Sequence, residues 1–128
     1  MIVAGIGCRK GVSAKDIETA IAAALAKAGV AAEQLDVIAA PAAKAGEPGI
    51  AAAAIARGVP LMLVSQSQLV AAVAGTATHS ERVMALKGVP SVAECAALAG
   101  AGAGGRLMLA RLAVGPATCA LAIAGEPS

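Results

Sequence analysis

The sequence contains no tryptophan, tyrosine or phenylalanine, and its one histidine is His79. Without aromatic rings it cannot build the stacking platforms that hold single-stranded nucleic acid. A formal net charge of only +2 leaves no long basic stripe in their place, so no nucleic acid partner is expected. Long apolar runs are missing too. The longest uncharged stretch, residues 58–79, is interrupted by Pro60 and by Ser65, Gln66, Ser67 and Gln68, and falls short of the roughly 20 consecutive apolar residues of a spanning helix. The three cysteines, Cys8, Cys95 and Cys119, are odd in number, widely spaced and without a Cys-x-x-Cys pair. That pattern argues against a disulfide framework or a zinc site and predicts free thiols. The chain enters an apolar segment at once, without the basic region and cleavage site of a secretory leader. The expectation is a soluble cytoplasmic protein with no membrane partner, no metal and no cofactor.

What is abundant is alanine. The hydrophobic fraction of 59% and the mean hydropathy of +0.80 come mostly from this residue, which favours helix and packs closely without adding oily bulk. A length of 128 residues suits one domain with one core. Residues 2–7 read as a short buried strand, after which Ser13 and Asp16 propose a capping box for a helix with Ile17, Ile21 and Leu25 on one face and Gly29 as its stop. Residues 35–40 form a second apolar run closed by Pro41; a loop to Glu47, Pro48 and Gly49 then opens an alanine-rich helix ending near Arg57. Residues 61–64 read as a central strand, and Ser65 with Gln68 caps a third helix. Residues 75–79 look like a mobile loop, followed by a short helix over 80–87 and another, capped by Ser91 with Glu94, running to about residue 98. The last two strands, 106–114 and 118–124, are joined by only three residues and must be antiparallel. The fold class that follows is a single three-layer α/β domain: a mixed sheet of about five strands ending in an antiparallel hairpin, with helices on both faces.

Candidate chemistry concentrates in the first loop. Gly7, Cys8, Arg9, Gly11 and Ser13 join a strand to a helix amino terminus, where free N–H groups and the helix dipole attract an anion and Arg9, Lys10 and Lys15 strengthen the field. The glycine spacing matches neither the dinucleotide fingerprint nor a P-loop, and a tight turn with a serine cap would use the same residues. Gly100 to Gly105 fit G-x-G-x-x-G literally but follow a helix and precede a strand, the reverse of the required context, and read as a flexible connector. Lys44 and Glu47 follow the second strand on the same carboxyl edge of the sheet; Lys44 could meet an acidic ligand and Glu47 could act as a base, although a helix start and ordinary solvation account for both. His79 is the other candidate base, with no triad partner evident. Cys8, beside Arg9 and near a helix amino terminus, is a thiol whose pKa such surroundings would lower, unless it is simply buried at the strand end. Glu94 is read as the capping partner of Ser91.

The opening Gly5-x-Gly7-Cys8-Arg9-x-Gly11-x-Ser13 resembles the start of the CobE/CbiG carboxy-terminal-domain family of cobalamin (vitamin B12) biosynthesis proteins, with Lys10 in place of the commoner second arginine. The likeness continues through Lys44-Ala45-Gly46-Glu47-Pro48-Gly49-Ile50, Gly58-Val59-Pro60-Leu61 and Gly88-Val89-Pro90-Ser91-Val92-Ala93-Glu94-Cys95-Ala96-Ala97-Leu98, in family order, and spans residues 1–128. Arg111 stands where the family commonly has lysine. The resemblance implies work on corrin-ring intermediates. Full-length CbiG opens a δ-lactone of a cobalt-precorrin with release of acetaldehyde, and the region amino-terminal to this domain is expected to be missing here.

Three functions follow as expectations. The first is an accessory or carrier protein holding a corrin or precorrin intermediate, a polycarboxylate tetrapyrrole, through Gly7, Cys8, Arg9, Gly11 and Ser13, with Lys44 and Glu47 opposite. The second is a lactone hydrolase in which Glu47 or His79 activates water. The third is a docking partner of another cobalamin-pathway enzyme.

Overall fold

Strand β1 (Ile2–Cys8) leads through a turn to helix α1 (Ala14–Ala28) in a computed structural model that describes residues 1–125. The Ser13 hydroxyl accepts from the Asp16 N–H at 3.1 Å, and Gly29 ends the helix in the left-handed region, a termination that glycine makes without steric cost. Strand β2 (Leu35–Pro41), helix α2 (Pro48–Arg57) and strand β3 (Leu61–Val64) complete two βα units. Helix α3 (Gln66–Ala71) carries the reciprocal capping box that its sequence proposes: Ser65 Oγ accepts from Gln68 N–H at 3.2 Å, and Gln68 Oε1 accepts from Ser65 N–H at 2.9 Å. Helices α4 (Glu81–Lys87) and α5 (Val92–Ala101) follow, and strands β4 (Arg106–Val114) and β5 (Ala117–Ile123) close the domain.

The five-stranded sheet has the order β3-β2-β1-β5-β4. β1, β2 and β3 run parallel; β5 is antiparallel to both of its neighbours, which makes the sheet mixed. Strand periodicity divides the core in two. Ala4, Ile6, Ile38, Ala40, Cys119 and Leu121 face α1 and α2, where Ile17, Ile21, Leu25 and Ile50 supply bulky aliphatic cover. Val3, Val37, Ala39, Ala120 and Ala122 face α5 and α3, and there the helix contributes mainly Ala93, Ala96, Ala97 and Ala101. α5 lies close on the sheet because β1 has a glycine beneath it: a β-carbon at Gly5 would strike the Ala93 carbonyl oxygen and the Ala97 nitrogen.

Element existence and order match the expectation, with displaced ends. β2 takes in Pro41, and β5 starts one residue earlier than the sequence suggests. α5 runs on to Ala101 because Gly100, counted as connector, fits under Val3 of β1; only residues 102–105 turn. No single helix among the described residues is long and apolar enough to cross a membrane.

Candidate functional site

The carboxyl ends of β1 and β2 open into a cleft of about 320 Å³. This is where open α/β sheets place their ligands. Gly7, Cys8 and Arg9 enter it from the end of β1, and the Arg9 N–H donates to the Pro116 carbonyl at 3.0 Å, tying the first loop to the β4–β5 hairpin. Lys44 arrives on a short 3-10 turn, Ala42–Lys44, directly after β2. Lys87, in the last turn of α4, forms part of the outer wall, and Gln66 of α3 holds that wall by donating from Nε2 to the Lys87 carbonyl at 2.8 Å. Arg111 reaches the cleft from β4. The amino terminus of α5 borders the same space through Ser91, Val92 and Ala93 and adds the positive end of its dipole.

The electrostatics are one-sided. Arg9, Lys44, Lys87 and Arg111 line the cleft, and no carboxylate does among the described residues. The remaining lining is mostly apolar, with Leu69, Val83, Leu86 and Val92 prominent beside the polar Gln66, Ser91 and Thr118. A ligand with several carboxylates and a flat apolar body suits such a surface, since each carboxylate can take a charge-assisted hydrogen bond while the body covers aliphatic side chains.

The residues proposed from sequence are not all brought together. Gly7, Cys8, Arg9 and Lys44 line the cleft. Ser13 caps α1, and Gly11, at φ 79°, donates its N–H to the Glu47 carboxylate at 3.1 and 3.2 Å. Glu47 thus bridges the first loop to the start of α2 instead of lining the cleft. His79 lies in a separate groove beside Met84 and Pro90. A third depression, of about 390 Å³ and lined largely by glycine and alanine near residues 102–105, carries no charged group.

Of the two readings open for Cys8 the buried one fits, whereas the capping role expected of Glu94 needs correction. Burial pushes the Cys8 thiol above its ordinary value, and Glu47 adds to that; Lys44 and Lys87 pull the other way without prevailing, the direction of a thiol covered at a strand end. Glu94 does only half of what a capping box asks. Ser91 Oγ accepts from the Glu94 N–H at 3.4 Å, but the fully buried Glu94 carboxylate turns elsewhere. Its Oε1 accepts from the N–H groups of Ala77 and Thr78 at 2.8 and 2.9 Å; its Oε2 accepts from the Thr78 hydroxyl and, at 2.9 Å, from the Arg111 N–H. Burial acts to raise its pKa, but these four hydrogen bonds outweigh burial and hold the carboxyl below the usual value. The segment that looked mobile is therefore pinned to α5 at Ala77 and Thr78.

Sequence reasoning passed over Lys87 and Arg111 as cleft residues. Lys87 reads as an ordinary cation complementing a helix carboxyl end. Arg111 carried a visible signal, being the one charged residue inside the otherwise apolar run 107–114.

Comparison with known proteins agrees with this architecture. Residues 2–122 match the family described as "Cobalamin synthesis G C-terminus". Protein CobE of Sinorhizobium sp is 39% identical over 121 residues, covering 94% of this chain and 79% of that protein. The crystal structure of CobE, a protein from the cobalamin biosynthetic pathway, superposes with a TM-score of 0.88 at 32% identity, covering 95% of this chain and 89% of the other. The cobalamin biosynthesis protein chiG from Agrobacterium tumefaciens str. C58 gives a TM-score of 0.79 at 44% identity, with 98% and 100% covered. A longer cobalamin biosynthesis protein G homologue from Sulfolobus solfataricus shares the fold over 36% of its length, at 25% identity and a TM-score of 0.71. With its family, its fold and its relatives in agreement, the chain belongs to the CobE/CbiG carboxy-terminal family of cobalamin biosynthesis proteins.

Proposed function

We propose that residues 1–128 act as one cytoplasmic CobE/CbiG carboxy-terminal-like domain that binds a corrin or precorrin intermediate in the cleft, as an accessory or carrier protein. The observation that carries this reading is the set of four cations, Arg9, Lys44, Lys87 and Arg111, around an apolar floor with no carboxylate among them. Corrin intermediates present peripheral carboxylates around an apolar ring, the complement of that surface. At about 320 Å³ the cleft takes an edge of such a macrocycle, leaving the rest accessible to another pathway enzyme. A carrier needs that openness, whereas a catalyst that must exclude water does not benefit from it.

The lactone-opening alternative asks for a water-activating group at the ligand. Glu47 is engaged with Gly11, and His79 sits in a different groove, so neither proposed base lines the cleft. Titration with cobyrinic acid, followed by its visible absorbance, separates the readings. Saturable binding without acetaldehyde from a lactone-bearing intermediate supports a carrier, acetaldehyde release supports the hydrolase, and no spectral change leaves docking on another enzyme.

A further inference from the structure

β4 is irregular twice, between Leu107 and Leu109 and again between Leu109 and Leu112. Leu109 pairs with Leu121 and Leu112 with Cys119, so three steps along β4 match two along β5 and one residue is extra. Leu109 and Leu112 both pack toward the α1 and α2 side of the sheet despite their odd spacing. In a regular strand Arg111, two residues after Leu109, would share that apolar side. The second irregularity reverses the parity set at Leu109 and returns Arg111 and Ala113 to the side on which Leu107 packs, where the cleft lies. The Arg111 N–H, released from the ladder at this point, is satisfied by Glu94.

The other Glu94 bonds fix the segment leading into α4. Ala77 and Thr78 are held to the same carboxylate, and Val83, Leu86 and Lys87 of α4 form the outer wall of the cleft. α4 itself contributes no fully buried residue, so its placement depends on its ends. One buried side chain thus joins α5, the bulge of β4 and the root of α4.

We infer that Glu94 is a positioning residue: by bonding the Arg111 N–H at the bulge and the Ala77–Thr78 segment, it aims the Arg111 guanidinium at a carboxylate of the bound polyanion and sets the cleft's outer wall. The inference rests on the cleft being the corrinoid site. It does not make Glu94 a ligand-contacting group; its effect on affinity passes through Arg111, while its bonds to Ala77 and Thr78 hold the segment leading into α4.

A double-mutant cycle with cobyrinic acid as the probe tests it. Arg111→Ala weakens binding about tenfold, the loss of one charge-assisted hydrogen bond. Glu94→Gln, which keeps the shape of the side chain but forces an NH2 group among four donors, weakens it by a similar factor. The double variant is expected to be no more than about twofold weaker than either single one, because Arg111 no longer points at the ligand once Glu94 is altered. A simple loss of structural support would instead give multiplicative losses. If Glu94→Gln does not fold, Thr78→Val removes a single donor and enters the same cycle. Losses that multiply overturn the inference alone, whereas failure of the wild-type protein to bind overturns the reading of the cleft and the inference with it.

Discussion

The two faces of the sheet are packed by opposite means. On the α1 and α2 side, isoleucine and leucine fill a deep layer: Ile6, Ile17, Ile21, Ile38 and Leu121 are all fully buried. On the α5 side the same sheet presents Val3, Gly5, Ala39, Ala120 and Ala122 to a helix made largely of alanine, so helix and sheet approach until backbone meets backbone. The first face stabilises through buried apolar volume, about 25 cal/mol per Å² removed from water. The second buries less oily surface per residue and gains geometric fixity instead. That difference matters for function, since α5 brings its amino terminus, Ser91, Val92 and Ala93, to the cleft, and a helix seated on backbone has little room to shift.

The comparison breaks most readily at Gly5. Gly5→Ala adds one methyl group against the Ala93 carbonyl and the Ala97 nitrogen, and is expected to cost about 3 kcal/mol or more, read as a fall in the urea midpoint. A midpoint close to wild type would mean that α5 moves away easily and that the close-packed face is not rigid. Glu94→Gln should cost about 2 kcal/mol at neutral pH, because a buried cluster of donors loses its charged acceptor. The sign of its pH dependence is fixed: the folded-state pKa lies below the ordinary 4.5, so the Glu94 contribution is complete above that value and fades as pH falls through the lower folded value. Urea titrations should therefore show the gap between wild type and Glu94→Gln narrowing below about pH 4.5; a gap that stays constant would contradict an ionised Glu94. On the oily face Ile21→Val removes one methyl from the α1 layer, and about 1 kcal/mol is expected. Removing a methyl there should thus cost less than adding one at Gly5, and the reverse order would invert the contrast.

The thiols give the smallest and most local test. Burial pushes Cys119, on the α1 side, up to about 12, and Cys95, on α5, up to about 11 with Glu94 contributing; both are fully buried. Cys8 is only partly covered. Timed alkylation at neutral pH should modify Cys8 first and leave the other two until the protein unfolds. Early modification of Cys95 would show that α5 opens independently of the rest.

Much of this molecule was legible in its sequence because its signals are local. Serine caps, glycine stops and apolar runs depend on neighbours a few residues apart, and they located the five α-helices and five strands of the described residues but not the short 3-10 turns such as Ala42–Lys44. The strand-to-helix position of the first loop and the carboxyl edge after the second strand also led to Arg9 and Lys44. What escaped notice depends on contacts distant along the chain. Gly5 looks like part of an anion-binding loop, yet its demand comes from α5, some ninety residues later. Glu94 satisfies the local grammar of a capping box, and only the folded chain brings Thr78 and Arg111 to compete for its carboxylate. Arg111 is visible as a charge in an apolar strand, but the direction it faces depends on two register shifts that exist only in the paired sheet.

Binding of a polycarboxylate corrinoid in the four-cation cleft is tested by a visible-absorbance titration of cobyrinic acid into wild type and an Arg9→Ala/Lys44→Ala double variant, both checked for an unchanged urea midpoint. Saturable binding by the wild type is expected, with affinity lower by about tenfold or more in the variant, from the loss of charge-assisted hydrogen bonds. Equal affinity of the two folded proteins would place the ligand elsewhere and contradict binding in the cleft.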